Sequence, residues 1–169
     1  MIFTRFTDRS RKSVEAALEE ARMLGHDSLG DEDLVLGILR VDEGLAAEAL
    51  TSLGVTLEDA RVESEEMLAD SLSVIGISLE EVRREAGDAF EMRIPEHRRI
   101  PFSPRAKKAL VEARRAMRRM GDNYLGTEHV LIGILGNEGG TAVRMLVRLG
   151  VVPETLEERL LELRGRAAG

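Results

Sequence analysis

Cysteine and tryptophan are both absent from this sequence of 169 residues. Without cysteine the chain has no disulfide, no catalytic thiol and no thiolate metal ligand. Aromatic residues make up 3% of the chain, and there are four prolines. Alanine, leucine and glutamate are abundant instead, and these residues keep most of their rotamer freedom in a helix. The composition therefore favours an all-α protein.

Long apolar segments and targeting signals are also missing. No apolar run approaches the roughly 20 residues that a membrane-spanning helix needs. Arg5, Asp8 and Arg9 interrupt any signal-peptide core at the start of the chain. We therefore expect a cytoplasmic protein with no membrane partner.

Catalytic and nucleotide-binding motifs are missing as well. The sequence has neither G-x-x-x-x-G-K-[ST] nor G-x-G-x-x-G. Its three histidines, His26, His97 and His129, show no metal-ligand spacing. Glu128 is adjacent to His129, so on a helix the two side chains diverge by roughly 100°. We expect no enzyme, no cofactor, no metal site and no ATP binding.

The net charge of −7 is unevenly distributed. Residues 93–121 carry ten basic residues against Glu96 and Glu112. Such a basic stripe suits an acidic partner surface, but it also fits a solvated helix face. No aromatic residues are interleaved to stack bases, so we do not expect nucleic acid as a partner. The basic residues are Arg93, Arg98, Arg99, Arg105, Lys107, Lys108, Arg114, Arg115, Arg118 and Arg119.

An internal repeat dominates the organisation of the chain. A shift of 96 positions aligns residues 7–55 with 103–151 without a gap, and 17 of the 49 aligned positions are identical. The phrase GDEDLVLGIL (30–39) returns as GTEHVLIGIL (126–135), and the glutamate is kept as Glu32 and Glu128. The chain is therefore built from two related units.

Each copy is predicted to form four helices. Thr7 and Ser103 are candidate N-caps of the first helix, which stops at Gly25 or Gly121. The second helix, with Asp31 or Thr127 as its expected cap, is almost entirely apolar and should be buried. Third and fourth helices follow in each copy. This pattern predicts an all-α tandem pseudo-twofold repeat of two four-helix units in a monomer.

A helical insert is predicted between the copies. GVTLEDAR (54–61) returns as GISLEEVR (76–83), so the fourth helix has a second version, capped by Ser78, which packs beside or replaces the first. EMRIPEHRRIPF (91–102) contains two prolines and is predicted to be a linker. We divide the chain into a first repeat (1–70), an insert with linker (71–99) and a second repeat (100–169).

The duplicated polar residues suggest a ligand site. A helix N-terminus with a free hydroxyl, as at Thr7 and Ser103, attracts an anion. Glu32 and Glu128 lie in the first turn of the next helix, where a carboxylate can take a cation. Capping and compensation of the helix dipole explain the same residues without any ligand. From spacing alone, both interpretations stand.

Several phrases resemble the amino-terminal domain of the Clp family of AAA+ unfoldases, most of all the ClpC type. The resemblance covers most of the chain and implies a pseudo-twofold pair of four-helix repeats that captures substrates and adaptors. The phrases are RFTDRSRK (5–12), ARMLGH (21–26), GDEDLVLGIL (30–39), IPFSPRAKKAL (100–110), NYLGTEHVLIGIL (123–135) and LVRLGV (146–151).

The resemblance also implies ligands for specific residues. ClpC-type domains bind phosphoarginine, and the matching residues here are Thr7 with Glu32 and Ser103 with Glu128. Phe3 and Phe102, which we interpret as corresponding residues before the two caps, match a surface that binds antibacterial cyclic peptides; they are equally well explained as hydrophobic staples. The implied partners are phosphoarginine-bearing proteins and a Clp unfoldase or its adaptors.

Three departures from the family pattern shape the functional hypothesis. The first copy reads D-E-D where the family has T-E-H, so Asp31 and Asp33 place negative charge near a phosphate site. The region 54–98 is longer than in ClpC, and these 169 residues contain no ATPase module, so the sequence resembles the stand-alone Clp-N-like proteins. We expect a module that binds or sequesters phosphoarginine-marked proteins. The alternative is an interaction module that has lost this pocket and docks a partner through its basic stripe.

Overall fold

The computed structural model describes residues 2–86 and 99–168. Within these ranges a 3₁₀ turn (Ile2–Arg5) precedes the helices, and there is no strand, only two isolated β-bridges. The predicted all-α class is confirmed. The helices are α1 (Asp8–Met23), α2 (Asp31–Val41), α3 (Leu45–Ser52), α4 (Leu57–Val74), α5 (Leu79–Ala86), α6 (Pro104–Arg119), α7 (Thr127–Leu135), α8 (Thr141–Arg148) and α9 (Pro153–Ala168).

The two repeats are α1–α4 and α6–α9, and they share one hydrophobic core. Each contact between the repeats has a counterpart in which the two repeats are exchanged. The contact of α1 with α7 corresponds to that of α6 with α2, and the contact of α2 with α8 corresponds to that of α7 with α3. Likewise α3 on α9 matches α4 on α8. This reciprocity is what an approximate twofold axis requires, so the predicted pseudo-twofold arrangement is confirmed.

The apolar second helix of each repeat lies at the centre, as predicted. A Cβ atom at Gly37 of α2 would overlap the backbone oxygen of Ser13, and one at Gly133 of α7 would overlap that of Ala109. Both glycines thus let two helix backbones approach closely, in spite of their low helix propensity. The first two helices of each repeat therefore form a tightly packed pair.

The described part of the insert, residues 71–86, contains the end of α4 and the whole of α5 and is largely exposed. Ser78 caps α5 by accepting a hydrogen bond from the backbone N–H of Glu81 at 3.4 Å, and α5 packs beside α4. α4 runs through the proposed boundary at residue 70 to Val74, and the division of the chain into three segments stays a prediction. The expected linker falls outside the described residues up to residue 98. Among the described helices, none is long and apolar enough to cross a membrane.

Candidate functional site

Two junctions between the repeats bring helix N-termini together. The backbone N–H of Leu29 donates to Pro101 O at 2.8 Å, and that of Ser103 donates to Leu29 O at 2.8 Å. The matching bonds run from Leu125 to Arg5 and from Thr7 to Leu125. We call the contact of residues 28–32 with 103–105 the first junction, and that of residues 124–128 with 7–9 the second junction. At each, the start of one repeat's first helix lies beside the start of the other repeat's second helix.

The two hydroxyl residues are N-caps, as predicted. Thr7 Oγ1 accepts from the backbone N–H of Ser10 at 3.2 Å, and Ser103 Oγ accepts from that of Ala106 at 3.1 Å. The hydroxyls therefore mark the positive ends of α1 and α6, where an anion is stabilised.

The pairing of hydroxyl and glutamate within one repeat, Thr7 with Glu32 and Ser103 with Glu128, is wrong. A cavity of about 310 Å³ at the first junction brings Glu32 together with Ser103 of the other repeat. The backbone bonds at the second junction place Thr7 beside the loop that leads to Glu128. The pairs therefore cross the twofold axis. The cavity is lined by Ser28, Gly30, Asp31, Glu32, Ser103, Pro104, Arg105 and Thr141.

Both glutamates fold back over the N-terminus of their own helix. A Cβ atom at Gly30 would overlap the carboxylate of Glu32, and one at Gly126 would overlap that of Glu128. These glycines therefore leave room for the carboxylates. At the first junction, burial and the charge of Asp33 raise the pKa of Glu32 to about 7. At the second junction, burial followed by the charge of Glu128 raises the pKa of Tyr124.

Asp31 and Thr127 are not the caps of their own helices, in contrast to the sequence interpretation. Gly30 and Gly126 hold the cap positions, and Asp31 and Thr127 are the first helical residues. Each reaches across the axis to the third helix of the other repeat. Asp31 Oδ2 accepts from the backbone N–H of Ala142 at 3.2 Å, and Thr127 Oγ1 accepts from that of Ala46 at 3.3 Å.

A histidine–aspartate pair occurs at both junctions with its members exchanged. His26 Nδ1 lies 3.0 Å from the Asp33 carboxylate, and His129 Nε2 lies 2.7 Å from Asp122 Oδ2. Positions 26 and 122 are equivalent under the 96-residue shift, as are 33 and 129. Sequence analysis missed this pair, although an exchanged histidine and aspartate at two aligned positions is a signal that could have revealed it.

The exchange changes the charge of the two sites. His129 Nδ1 accepts from the Gly126 N–H at 2.9 Å, so its Nε2 carries the proton and the ring is neutral. Arg164 donates to both oxygens of Asp122, at 2.6 and 3.0 Å, and thereby lowers the pKa of Asp122. The position equivalent to Arg164 is Leu68. Arg164 therefore balances the charge of Asp122, and Glu128 is the carboxylate that remains in the first turn of α7.

The first junction has an excess of carboxylates. Asp33 accepts from the Gly30 N–H at 2.9 Å, and Asp31 has one buried oxygen without a hydrogen-bond partner. Burial lowers the pKa of His26, but the hydrogen bond to Asp33 and the nearby carboxylates outweigh burial and raise it overall. One donor atom from each of His26, Glu32 and Asp33 lies within 4.8 Å of the others, a proximity that the sequence spacing did not reveal. Hydrogen bonding of Asp33 accounts for it, and we assign no metal.

The interpretation of Phe3 and Phe102 as corresponding residues is wrong. The 96-residue shift joins Phe102 with Phe6, and the structure gives this pair equivalent places: Phe6 bridges to Leu125, and Phe102 bridges to Leu29. Phe6 is buried, whereas Phe102 is partly buried and packs against the core. The side chain of Phe3 lies outside the described part of the structure.

The basic stripe lies along α6. Lys107, Lys108, Arg114 and Arg118 are exposed there. Arg105 turns toward the start of α8 in the same repeat, where it donates to Gly139 O at 3.1 Å and to Thr141 Oγ1 at 3.3 Å. The positions of Arg93 and Arg98 lie outside the described residues.

Known proteins share both the sequence and the fold. The chain is 35% identical over 167 residues to the chloroplastic chaperone protein ClpC of Pisum sativum, covering 99% of this chain and 16% of the relative. It is 39% identical over 167 residues to the ClpA homolog, an ATP-dependent Clp protease ATP-binding subunit, of Cyanidium caldarium, covering 99% and 17%. The chain thus spans about one sixth of the length of these relatives.

Solved structures agree with this relationship. The N-terminal domain of the chaperone ClpD from Arabidopsis thaliana superposes with a TM-score of 0.68 at 25% identity, covering 95% of this chain and 97% of that domain. The Hsp104 N-terminal domain from Candida albicans shares the fold, with a TM-score of 0.65 at 17% identity and coverage of 95% and 91%. The family described as the Clp repeat (R) N-terminal domain matches residues 5–74, 62–149 and 102–167. This chain therefore belongs to the Clp N-terminal domain family.

Proposed function

We propose that this domain is a non-enzymatic binding module that captures substrates or adaptors for a Clp unfoldase, and that its two junctions bind the side chain of phosphoarginine. The observation that carries the proposal is the pairing across the axis. At each junction a hydroxyl-capped helix N-terminus of one repeat stands beside the first-turn glutamate of the other. At the first junction the positive helix end and the carboxylate line one cavity.

Phosphoarginine has matching ends. Its phosphoryl group is an anion that suits the N-terminus of α1 or α6, with the hydroxyl of Thr7 or Ser103 as an additional partner. Its guanidinium group donates several hydrogen bonds and suits the carboxylate of Glu128 or Glu32. At the first junction, Arg105 lines the cavity and adds a positive charge for the phosphoryl group.

The second junction should bind more tightly. Asp31 and Asp33 repel a phosphoryl group at the first junction. At the second junction the equivalent residues are Thr127 and the neutral His129, which do not. With its pKa near 7, Glu32 is also protonated in part of the molecules at neutral pH, and a protonated carboxyl is a poorer acceptor for guanidinium. Glu128 should therefore contribute more to binding than Glu32.

The test is calorimetric titration with free phosphoarginine at fixed salt. Wild type should bind saturably, and Glu128→Ala should weaken binding about 10- to 100-fold through loss of a charge-assisted hydrogen bond. Glu32→Ala should have a smaller effect. Glu48→Ala is the matched control, because Glu48 is an exposed glutamate in the first turn of α3 and is not one of the residues of either junction. Circular dichroism should show the same helix content for all four proteins.

Two outcomes would overturn the proposal. Equal affinity of wild type and Glu128→Ala would mean that Glu128 does not bind the ligand and only compensates the dipole of its own helix. No saturable binding by wild type would favour the alternative function, docking through the basic stripe. That alternative predicts that replacing Lys107 and Arg114 with glutamate abolishes partner binding.

We further propose, on the family resemblance alone, that antibacterial cyclic peptides contact the surface at Phe102. Its counterpart Phe6 is buried and offers no equivalent contact. The part of Phe3 in this surface stays a prediction.

A further inference from the structure

A second cavity lies within the second repeat, away from both junctions. It has a volume of about 360 Å³ and opens between α6, α7 and the starts of α8 and α9. Its apolar wall includes Ile132, Leu135 and Val143. Four glutamates and one arginine complete the lining, which consists of Glu112, Arg119, Ile132, Leu135, Gly136, Glu138, Gly139, Val143, Pro153, Glu154 and Glu157.

The equivalent place in the first repeat is filled by the protein's own arginines. Arg40 Nη1 lies 3.2 Å from Glu20 Oε1 and 3.5 Å from the sulfur of Met23. Arg61 donates to both Glu20 oxygens, at 3.0 and 2.6 Å. The Glu20 side chain is fully buried beneath these two guanidinium groups.

The 96-residue shift shows what the second repeat has lost. Arg40 corresponds to Gly136, Arg61 to Glu157 and Met23 to Arg119, and all three counterparts line the cavity. Glu20 corresponds to the buried Ala116. The positions of Arg40 and Arg61 therefore carry no guanidinium in the second repeat, and Glu157 adds a negative charge there. Arg119, which is exposed and stands at the position of Met23, is the one guanidinium in the lining.

From this comparison we infer that the cavity is a binding site for an unmodified arginine side chain in a basic segment of a partner protein. In the first repeat a guanidinium fits at the equivalent place between α1, α2 and α4, where Glu20 accepts its hydrogen bonds. The carboxylates of Glu112, Glu154 and Glu157 offer acceptors, of which Glu112 now pairs with Arg115 at 2.5 Å. The aliphatic stem of arginine can cover the apolar wall while its head reaches the acidic rim.

This site differs in ligand chemistry from the two junctions. Its lining carries four carboxylates against one guanidinium, so a phosphoryl group would be repelled. No helix N-terminal hydroxyl like that of Thr7 or Ser103 lines the cavity. An unmodified arginine would therefore bind in this cavity, and a phosphoarginine would bind at the junctions of the same domain.

The decisive variant is Gly136→Arg, which restores the residue that the first repeat has at this place. A Cβ atom at Gly136 has only ordinary contacts, 3.5 Å from Ile132 O and 3.6 Å from Gly133 O, so the backbone tolerates the change. The new side chain should occupy the cavity as Arg40 does in the first repeat and thereby block an external arginine.

The experiment is an NMR titration of the whole chain with arginine amide, a cation that lacks a carboxylate. In wild type the backbone amides of Gly136 and Gly139 should shift saturably. Gly136→Arg should weaken binding by at least about tenfold, because its side chain fills the cavity. Glu157→Gln should weaken binding by about threefold or more, because it removes one carboxylate acceptor. Glu128→Ala should leave the arginine-amide shifts of Gly136 and Gly139 unchanged while it impairs phosphoarginine binding, which separates this site from the proposed function.

Equal affinity of wild type and Gly136→Arg, or shifts in wild type that never saturate, would overturn the inference. Saturable shifts confined to the junctions would do the same. If Gly136→Arg fails to fold by circular dichroism, Glu157→Gln with Glu154→Gln decides the question, since both residues lie on exposed turns of α9.

Discussion

At the scale of single residues, the two junctions use the same chemistry with the partners exchanged. His26 pairs with Asp33 at the first junction, and at the second junction the equivalent positions hold Asp122 and His129. The Asp33 carboxylate accepts from the N–H of the cap residue Gly30, and the His129 ring accepts from the N–H of the equivalent cap residue Gly126. An imidazole nitrogen and a carboxylate oxygen can both accept this bond, so the local geometry survives the exchange. The net charge does not, because the first repeat keeps two buried aspartates beside Glu32.

This charge difference predicts a pH-dependent stability that depends on Glu32. Its pKa is raised to about 7 by burial and by Asp33, so the native state holds a proton that the unfolded chain releases near the ordinary glutamate pKa of 4.5. Protonated Glu32 therefore makes its full contribution to the stability of the native state below pH 4.5, and this contribution is lost as the pH rises through about 7. Glu32→Gln should therefore increase the free energy of unfolding at pH 8 by about 1–3 kcal/mol and have little effect at pH 4.

Urea unfolding of wild type and Glu32→Gln at both pH values measures this difference. Glu48→Gln serves as the control and should show no such dependence. A Glu32→Gln effect of the same size at pH 4 and pH 8 would contradict the raised pKa.

At the scale of elements, helix ends are completed by the opposite repeat. The N-cap residues of α3 and α8 are Gly44 and Gly140, and neither glycine has a side chain to cap its helix. Thr127 and Asp31 supply the missing acceptors from across the axis. The first turn of each second helix therefore stabilises the third helix of the other repeat, which couples two elements that are distant in sequence.

Removal of one such cap should destabilise the whole domain. Thr127→Val keeps the shape of the side chain but loses the acceptor for the Ala46 N–H, and should cost about 0.5–2 kcal/mol of unfolding free energy. Thr51→Val is the control, since the Thr51 hydroxyl donates only to carbonyls within its own helix, and it should cost less than about 0.5 kcal/mol. Equal losses in urea unfolding would show that the bond across the axis adds nothing to stability.

At the scale of the whole molecule, the reciprocal contacts make the repeats one cooperative unit. Leu50 of α3 and Leu146 of α8 occupy aligned positions and are both fully buried. α3 packs against α7 and α9, and α8 packs against α2 and α4. A defect in either helix is therefore transmitted to both halves of the core.

Cooperativity can be tested with the single tyrosine. Leu50→Ala in the first repeat should cost about 2–5 kcal/mol, because it leaves a cavity in a packed core. Tyr124 lies in the second repeat, so its fluorescence reports on the other half of the molecule. Its unfolding midpoint in urea should fall together with the midpoint from circular dichroism. A tyrosine midpoint that stays at the wild-type value would show that the repeats unfold independently.

The sequence alone determined much of this architecture. The 96-residue repeat, the caps at Thr7 and Ser103, the central apolar helices and the helix capped by Ser78 all follow from local signals. Such signals depend on residues within about one helical turn of each other, and a single chain displays them directly. The repeated glutamates were also visible, because the two copies could be compared position by position.

Only the tertiary structure decided which residues meet across the axis. Two related repeats can place a hydroxyl and a glutamate together within one repeat or between repeats, and sequence spacing does not distinguish these arrangements. The contacts of Ser103 with the Glu32 loop, of Thr127 with Ala46 and of Asp31 with Ala142 arise from how the helix pairs dock. The cavity beside Gly136 is likewise a property of the tertiary structure, and arginines fill its counterpart in the first repeat. A cavity depends on volume that distant side chains leave unfilled, and sequence spacing does not show that volume.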